Sequence, residues 1–266
     1  MSETIRVLVS GSGKMGRVIL DALDAAAGIE PVGVVDALAP ITSLAVASGA
    51  VLPVVTDAAA ACDEMKPDVV VDFSNAAWTP ALTAAALPRG VRPVIGTSSL
   101  PQAYVDQLAR ECAQRKLGGV LAANFAIGAV LMMHMAKIAA PFFDYAEIIE
   151  LHHDQKVDAP SGTSVATARA MLEARDGKPF DRNEPDVTPL EHARGAALEG
   201  ITIHSVRLRG LVAHQEVIFG GAGQTLSVRH DSTGRDSFMP GIILAVREVM
   251  GRTELVIGLD ALVGLA

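Results

Sequence analysis

Cysteine is scarce in this chain: Cys62 and Cys112 are the two in 266 residues, each in a stretch that reads as helix. No Cys-x-x-Cys step occurs, which excludes a disulfide framework and a cysteine-rich metal site, and a reducing, cytoplasmic setting is expected. Basic charge is short as well. With 22 Lys and Arg against 30 Asp and Glu, the formal net charge is −8, which argues against a nucleic-acid surface as the main partner. Long apolar runs are missing. The most apolar stretch, Phe125 to Phe143, is broken by His134 and Lys137 and so predicts a buried helix and no membrane span. The opening "MSETIRVLVS" lacks the basic region and apolar run of a signal peptide. Repeats and low-complexity tracts are absent too. What remains is half apolar and a fifth charged, the profile of a compact globular protein with room for one large or two medium domains.

Strand-like and helix-like stretches alternate along the first half. "IRVLV" (5–9) runs into "SGSGKMG" and then into "RVILDALDAA", whose apolar residues recur at helical spacing. "PVGVVD" ends on Asp36, and further strands are expected in "VLPVV" (51–55), "DVVVDF" (68–73), "RPVIGT" (92–97) and "GGVLAAN" (118–124). Helices fall between most of them, notably over 100–116. This alternation implies a parallel sheet covered on both faces. After Asn124 the pattern changes. A long helix through Lys137 leads to the strand "AEIIELHH", and a polar linker occupies about 176–195. "ITIHSVRL", "HQEVIFG" and "QTLSVRH" then alternate apolar and polar residues, as one-faced strands do, ahead of a last helix in "SFMPGIILAVREVM".

Gly11, Gly13 and Gly16 spell G-x-G-x-x-G between the first strand and the first helix. Such a turn must be tight, must let backbone approach a pyrophosphate, and must pack helix closely on strand. Free amides and the helix dipole then hold phosphate charge. Asp36 ends the second strand 20 residues after Gly16, where a carboxylate accepts hydrogen bonds from a ribose diol. A structural turn beside a surface aspartate is the bland alternative; the strand–turn–helix context favours dinucleotide binding. "GTSS" (96–99) and "AANF" (122–125) leave two further strand ends with small or hydroxyl residues. Each alone is an ordinary loop; beside the glycine fingerprint both become candidates for contacts to a nicotinamide ribose. The expected architecture is α/β. A doubly wound Rossmann-type domain covers 1–124 and an α+β domain with a mixed open sheet covers 125–236, while 237–266 packs back on the first.

One stretch reads differently from the rest: "ELHHDQKVDAPSGTS", residues 150–164. His152 and His153 are adjacent at a strand end, so their side chains diverge, one for chemistry and one for substrate. Lys156 follows across a turn marked by Asp154 and Gln155. Ser161 is the expected N-cap of the next helix, whose first amides, with the Thr163 hydroxyl, offer a carboxylate site. Imidazole and ammonium groups transfer protons and attract an acidic substrate. Structural histidines, a metal site and a surface charge cluster are the alternatives. The metal reading lacks a third ligand at a fitting spacing and Lys156 would repel a cation, so no metal is expected. A charge cluster leaves the small-residue helix start unexplained.

Together with the glycine loop, "VVVDFSNA", "VIGTS", "AANFAIGAVLMM" and "RLRGLVAHQEVIFG", this motif resembles the 4-hydroxy-tetrahydrodipicolinate reductase (dihydrodipicolinate reductase) family. The likeness runs from about Ile5 to the last helix, in the expected order. It implies a reductase of the diaminopimelate route to lysine, using NADH or NADPH to reduce a cyclic dicarboxylate imine after loss of water. It also implies a nucleotide domain and a substrate domain whose sheets assemble a homotetramer. By the family's motif, His152 matches the proton donor/acceptor and Lys156 the proton donor. His153, Gly162 and Thr163 match positions that hold substrate, with Ser161 opening the same helix start. Gly11, Ser12, Gly13, Lys14 and Met15 match nucleotide contacts, and Gly16 completes their loop. So do Asp36, Gly96, Thr97, Ser98, Ala122, Ala123, Asn124 and Phe125. Two departures stand out: the glycine loop is one residue shorter than the family's G-x-x-G-x-x-G, and Ser99 replaces the last glycine of GTTG.

The expected function is therefore a cytoplasmic NAD(P)H-dependent reductase of a small dicarboxylate, with no nucleic-acid or membrane partner. Asp36 is followed by Ala37, and Lys14 is the nearby cation. A carboxylate repels a 2′-phosphate, so NADH is expected to be preferred and NADPH accepted. Two rivals share the fold: a Rossmann oxidoreductase for another small acid, and an NAD(P)-binding redox sensor without catalysis. His152 and Lys156 speak against the sensor, which has no use for a proton donor.

Overall fold

Short apolar runs set the strands and three- and four-residue apolar spacing sets the helices. The computed structural model describes residues 4–191 and 193–265. The chain starts with β1 (Ile5–Ser10), α1 (Lys14–Asp24), β2 (Ile29–Val35), β3 (Ser43–Ala45), β4 (Val51–Val55) and α2 (Ala58–Met65). β5 (Val69–Asp72), α3 (Thr79–Ala86), β6 (Arg92–Ile95), α4 (Gln102–Arg115) and β7 (Gly119–Leu121) follow. Next come α5 (Ile127–Ala139), β8 (Tyr145–His152), α6 (Gly162–Glu173), β9 (Ala196–Leu198), β10 (Ile201–Arg207), β11 (Ala213–Gly221) and β12 (Gln224–Ser232). α7 (Met239–Glu248) and β13 (Leu255–Ile257) close the chain's structure. Two compact units result: Met1–Phe125 with Phe238–Ala266, and Ala126–Ser237.

In the first unit β1 is central to a sheet ordered β13-β7-β6-β5-β1-β2-β4-β3. Every pairing is parallel except β3 against β4. Val7, Leu8 and Val9 are wholly buried, as a strand covered on both faces must be. Each such burial contributes about 1.5–3 kcal/mol. Residues of α2 and α3 pack on Leu8, Val35 and Val70, and α7 packs on α1. β13 is a strand the sequence reading did not anticipate. It pairs in parallel with β7, Leu255 beside Gly119, so the returning segment joins the sheet itself. β3 and β9 were also unforeseen; three residues are too few to show a period.

The second unit is built on a mixed sheet ordered β12-β11-β8-β10-β9, in which β8 and β10 are parallel and the other pairs antiparallel. Ala146 and Ile148, two apart on β8, point to one face and share a core with Ile203, Val217 and Met171 of α6. The apolar stretch 125–143 departs from its expected burial. α5 buries Ala129, Val130, Met132 and Ala136, while Leu131, Met135, Ile138 and Phe142 are exposed. Leu131, Met135 and Ile138 recur at helical spacing, so α5 has a second apolar face that its own unit leaves uncovered, and Phe142 follows in the 3-10 turn after it. No helix among the described residues is long and apolar enough to cross a membrane.

Candidate active site

Strand order reverses at β1, with β2 on one side and β5 on the other, and the carboxyl ends there open a crevice. The loop leaving β1 starts with Gly11 at φ +101°, a conformation side chains disfavour; its N–H donates to the Val35 carbonyl at 2.8 Å. Gly13 is the N-cap of α1, and no side chain caps that helix. A Cβ on Gly13 would meet nothing within 4 Å, whereas one on Gly16 would lie 1.9 Å from the Gly11 carbonyl oxygen. An uncapped helix start that bare backbone can approach fits a dinucleotide pyrophosphate. Ser12, Lys14 and Met15 belong to the same turn.

Asp36 follows β2 directly. Its Oδ2 accepts from the Ser12 amide at 2.8 Å and the Ser12 hydroxyl at 2.6 Å, and its Oδ1 from the Leu38 amide at 3.0 Å. Burial alone would raise this carboxyl; those hydrogen bonds outweigh it and hold the group below the usual carboxylate range. Asp36 is thus ionised and tied to the glycine loop. With Gly11, Ser74, Asn75 and Trp78 it lines a cavity of about 270 Å³.

The loops after β6 and β7 hold the other nucleotide candidates. A Cβ on Gly96 would come within 2.2 Å of the Phe73 ring, which packs 5.1 Å from the Phe125 ring, centroid to centroid. Phe125 is buried, so its ring belongs to the interior wall. Thr97 is buried too and donates to Asp72 Oδ2 at 3.1 Å. Asp72 also accepts from the hydroxyls of Ser74 and Thr79, each at 2.5 Å, so it ties the loops after β5 and β6 together. Ser98 and Ala123 are exposed, Asn124 is half-buried and Ala122 is buried. Ser99 takes φ +62°, so serine holds a left-handed conformation that glycine enters without cost, at roughly 1–2 kcal/mol.

In the second unit, His152 ends β8 on the same inward face as Glu150, since the strand period is two. Its Nδ1 lies 2.6 Å from Glu150 Oε2. His153 lies just beyond the strand and is exposed. The chain turns there, with the Lys156 amide donating to the His153 carbonyl at 3.2 Å. Lys156 Nζ donates to Asp158 Oδ1 at 2.6 Å. That bond, and more weakly the Gly162 amide, hold the Asp158 carboxyl below its ordinary value. Ser161 is buried and caps α6, accepting from the Ser164 amide at 3.2 Å. Gly162 is exposed and Thr163 half-buried.

Sequence reasoning missed Glu150 and Arg207. Glu150 is wholly buried. Arg207, in register with His152 on the neighbouring β10, grips it in two parallel hydrogen bonds of 2.8 Å each. Burial pushes the Glu150 carboxyl up, but hydrogen bonds from His152, Arg207 and Ser205 and the guanidinium charge outweigh it and hold the group at about 2. A signal for Glu150 existed: it occupies an inward position after Ala146 and Ile148, where a charge breaks the pattern.

Comparison with known proteins fixes the family. Residues 5–125 match the family model described as "Dihydrodipicolinate reductase, N-terminus", and residues 128–263 match "Dihydrodipicolinate reductase, C-terminus". The chain belongs to the dihydrodipicolinate reductase family. Among curated relatives, the 4-hydroxy-tetrahydrodipicolinate reductase of Dehalococcoides mccartyi is 45% identical over 264 residues, covering 98% of this chain and 99% of the relative. That of Geobacillus kaustophilus is 46% identical over 264 residues, covering 97% and 98%. A solved dihydrodipicolinate reductase from Paenisporosarcina sp. TG-14, described as dipicolinate bound, superposes with a TM-score of 0.86 at 41% identity. It covers 97% of this chain and 99% of that one. The likeness to a Mycobacterium smegmatis amine dehydrogenase, at 14% identity and a TM-score of 0.63 with 97% and 96% covered, concerns the fold alone. The dihydrodipicolinate reductase resemblance and the α/β architecture with a second, mixed sheet, both expected from the motifs, hold.

Proposed function

We propose that His152 and Lys156 handle the protons as the chain reduces 4-hydroxy-tetrahydrodipicolinate to tetrahydrodipicolinate with loss of water, the 4-hydroxyl departing as H₂O and the ring taking up one hydride and one proton. As a family member the chain is an NAD(P)H-dependent oxidoreductase of the diaminopimelate route to lysine. The observation that carries the residue assignment is the turn after β8. An imidazole and an ammonium group lie four residues apart there, directly before the start of α6. When bound, the nicotinamide supplies the hydride. Negative charge that develops on the reduced substrate must be quenched by a proton, which the Lys156 ammonium or the His152 imidazole can deliver. Positioned proton transfer of this kind contributes roughly 10²–10⁴-fold in rate. His153, Gly162 and Thr163, with the helix start capped by Ser161, hold the substrate carboxylates. An acidic group already rests there, since Asp158 accepts from Lys156 and the Gly162 amide. The dipicolinate named in the Paenisporosarcina structure is itself a dicarboxylate.

Three finer readings accompany this. NADH is preferred over NADPH, because the ionised Asp36 repels a 2′-phosphate. The enzyme assembles as a homotetramer, supported by the uncovered apolar face of α5 and the open face of the mixed sheet. It works in the cytoplasm, a setting that suits two free, buried thiols, Cys62 and Cys112. The contacts to the dinucleotide come from the glycine loop, Asp36, and the loops 96–98 and 122–125.

Replacing Lys156 with alanine tests the proton assignment. Turnover should fall by roughly 10²–10⁴-fold, while NADH affinity by calorimetry stays near wild type. An equal loss of NADH affinity would remove Lys156 from this role. The activity itself is read as NADH oxidation that depends on freshly made product of dihydrodipicolinate synthase; no oxidation would favour the sensor reading.

A further inference from the structure

Four nitrogens converge on the two oxygens of Glu150, which a hydrogen bond from Ser205 also reaches. Oε2 accepts from Arg207 Nη1 at 2.8 Å and lies 2.6 Å from His152 Nδ1. Oε1 accepts from Arg207 Nη2 at 2.8 Å and from the Ser161 amide at 3.1 Å. Arg207 Nη2 also donates to the Asp158 carbonyl at 2.6 Å, which links the pair to the loop that carries Lys156. The residue of β11 in register with Glu150 is the uncharged Gln215, whose amide donates to Thr167. The charged groups around Glu150 are therefore His152, Arg207 and, through the Asp158 carbonyl, the Lys156–Asp158 pair. A buried carboxylate gripped by a guanidinium is ionised and can only accept. The proton between it and His152 accordingly sits on Nδ1.

We propose that Glu150 is a positioning residue for proton transfer. With Arg207 it fixes His152 as the Nδ1–H tautomer, leaves Nε2 as the nitrogen that exchanges a proton with substrate, and holds the start of α6 in the same grip. The inference rests on the reading of His152 as a proton-transfer group.

Glu150→Gln probes it sharply. An amide has one acceptor oxygen and one donor nitrogen. If the NH₂ group took the Oε1 position, it would face two donors, Arg207 Nη2 and the Ser161 amide. In the Oε2 position it opposes only Arg207 Nη1 and can donate to a bare His152 Nδ1. The second arrangement loses less, and it moves the imidazole proton to Nε2. A wrong tautomer of this kind costs about 10⁴-fold in turnover in a serine protease whose buried carboxylate is made an amide.

The test is ¹⁵N NMR of histidine-labelled full-length protein, with the His152 signals assigned by their loss in His152→Gln, alongside steady-state kinetics. Wild type should show neutral His152 protonated at Nδ1 and bare at Nε2. Glu150→Gln should show the reverse, with kcat down about 10²–10⁴-fold and NADH affinity within twofold of wild type. Glu150→Asp keeps the charge and should recover part of the lost kcat. Wild-type His152 protonated at Nε2 overturns the inference even if no variant folds. Glu150→Gln with wild-type kcat overturns it as well, as does a parallel fall in kcat and NADH affinity, which marks general loosening. Wild-type turnover in His152→Gln would instead remove the reading of His152 on which the inference rests.

Discussion

Gly13, the N-cap of α1, and Gly16, in its first turn, lie three residues apart, and alanine should cost stability at Gly16 but nucleotide affinity alone at Gly13. At Gly16 the new methyl would lie 1.9 Å from the Gly11 carbonyl oxygen, against 3.4 Å or more for ordinary contact. Both atoms belong to or sit on backbone, so α1 or the glycine loop must shift. Alanine gains up to about 1 kcal/mol in helix propensity, and overpacking costs roughly 1–3 kcal/mol; a net loss on the order of 1–2 kcal/mol follows, and NADH binding falls with it. At Gly13 the methyl meets nothing within 4 Å, and φ is −76°, so stability should change by less than about 1 kcal/mol. The methyl occupies the approach that a phosphate needs, so NADH affinity should drop at least tenfold, about 1.4 kcal/mol. Thermal unfolding without nucleotide reads the first quantity, at roughly 2–4 °C per kcal/mol, and calorimetry with NADH the second. Gly13→Ala that binds NADH like wild type would refute the reasoning, because the phosphate would then not pass over that backbone.

Cofactor choice is read from kcat/KM for NADH and NADPH at matched substrate. NADH should be the better cofactor, with the gap narrowing at high salt as repulsion from Asp36 is screened; a higher value for NADPH means Lys14 outweighs Asp36. Light scattering at micromolar concentration should give a tetramer, and a stable monomer would remove the assembly reading. Acid should also weaken the fold through Glu150. Its carboxyl lies at about 2 in place of an ordinary 4.5, so its contribution, on the order of 3 kcal/mol, is complete above about pH 4.5. It is lost as pH falls towards 2. Chemical denaturation from pH 6 to 2 should show that loss in wild type and lack it in Glu150→Gln; equal slopes would dissociate the carboxylate from acid stability.

The parallel strands were legible because β1, β2, β5 and β6 are apolar runs buried on both faces, which no helix period imitates. The turn after β8 was legible because its polar side chains interrupt an apolar chain. β13 was not, since "LVI" gains its strand character only by lying beside β7. Arg207 was hidden for the same reason: its meeting with Glu150 depends on β8 and β10 being neighbours, a fact of pairing and not of spacing. The place of Asp36 at the end of β2 was legible, but its bonds to Ser12 depend on where the shortened glycine loop ends up. The exposed side of α5 was misread because composition gives a helix's apolar content without saying how many of its faces one unit can cover.

The chain leaves the first unit at Phe125 and re-enters it at Phe238, and this matters while the protein is being made. Synthesis proceeds at about 5–20 residues per second, and domains fold as their parts emerge. The inserted unit draws all five of its strands from one continuous stretch, so it can complete itself on the ribosome first. The first unit must wait, because α7 and β13 are translated last. During that wait β7 presents a row of unpaired amides and carbonyls, an edge that invites strands from other nascent chains. A chaperone that engages this polypeptide has its reason to bind in the interval between the emergence of Leu121 and that of Leu255.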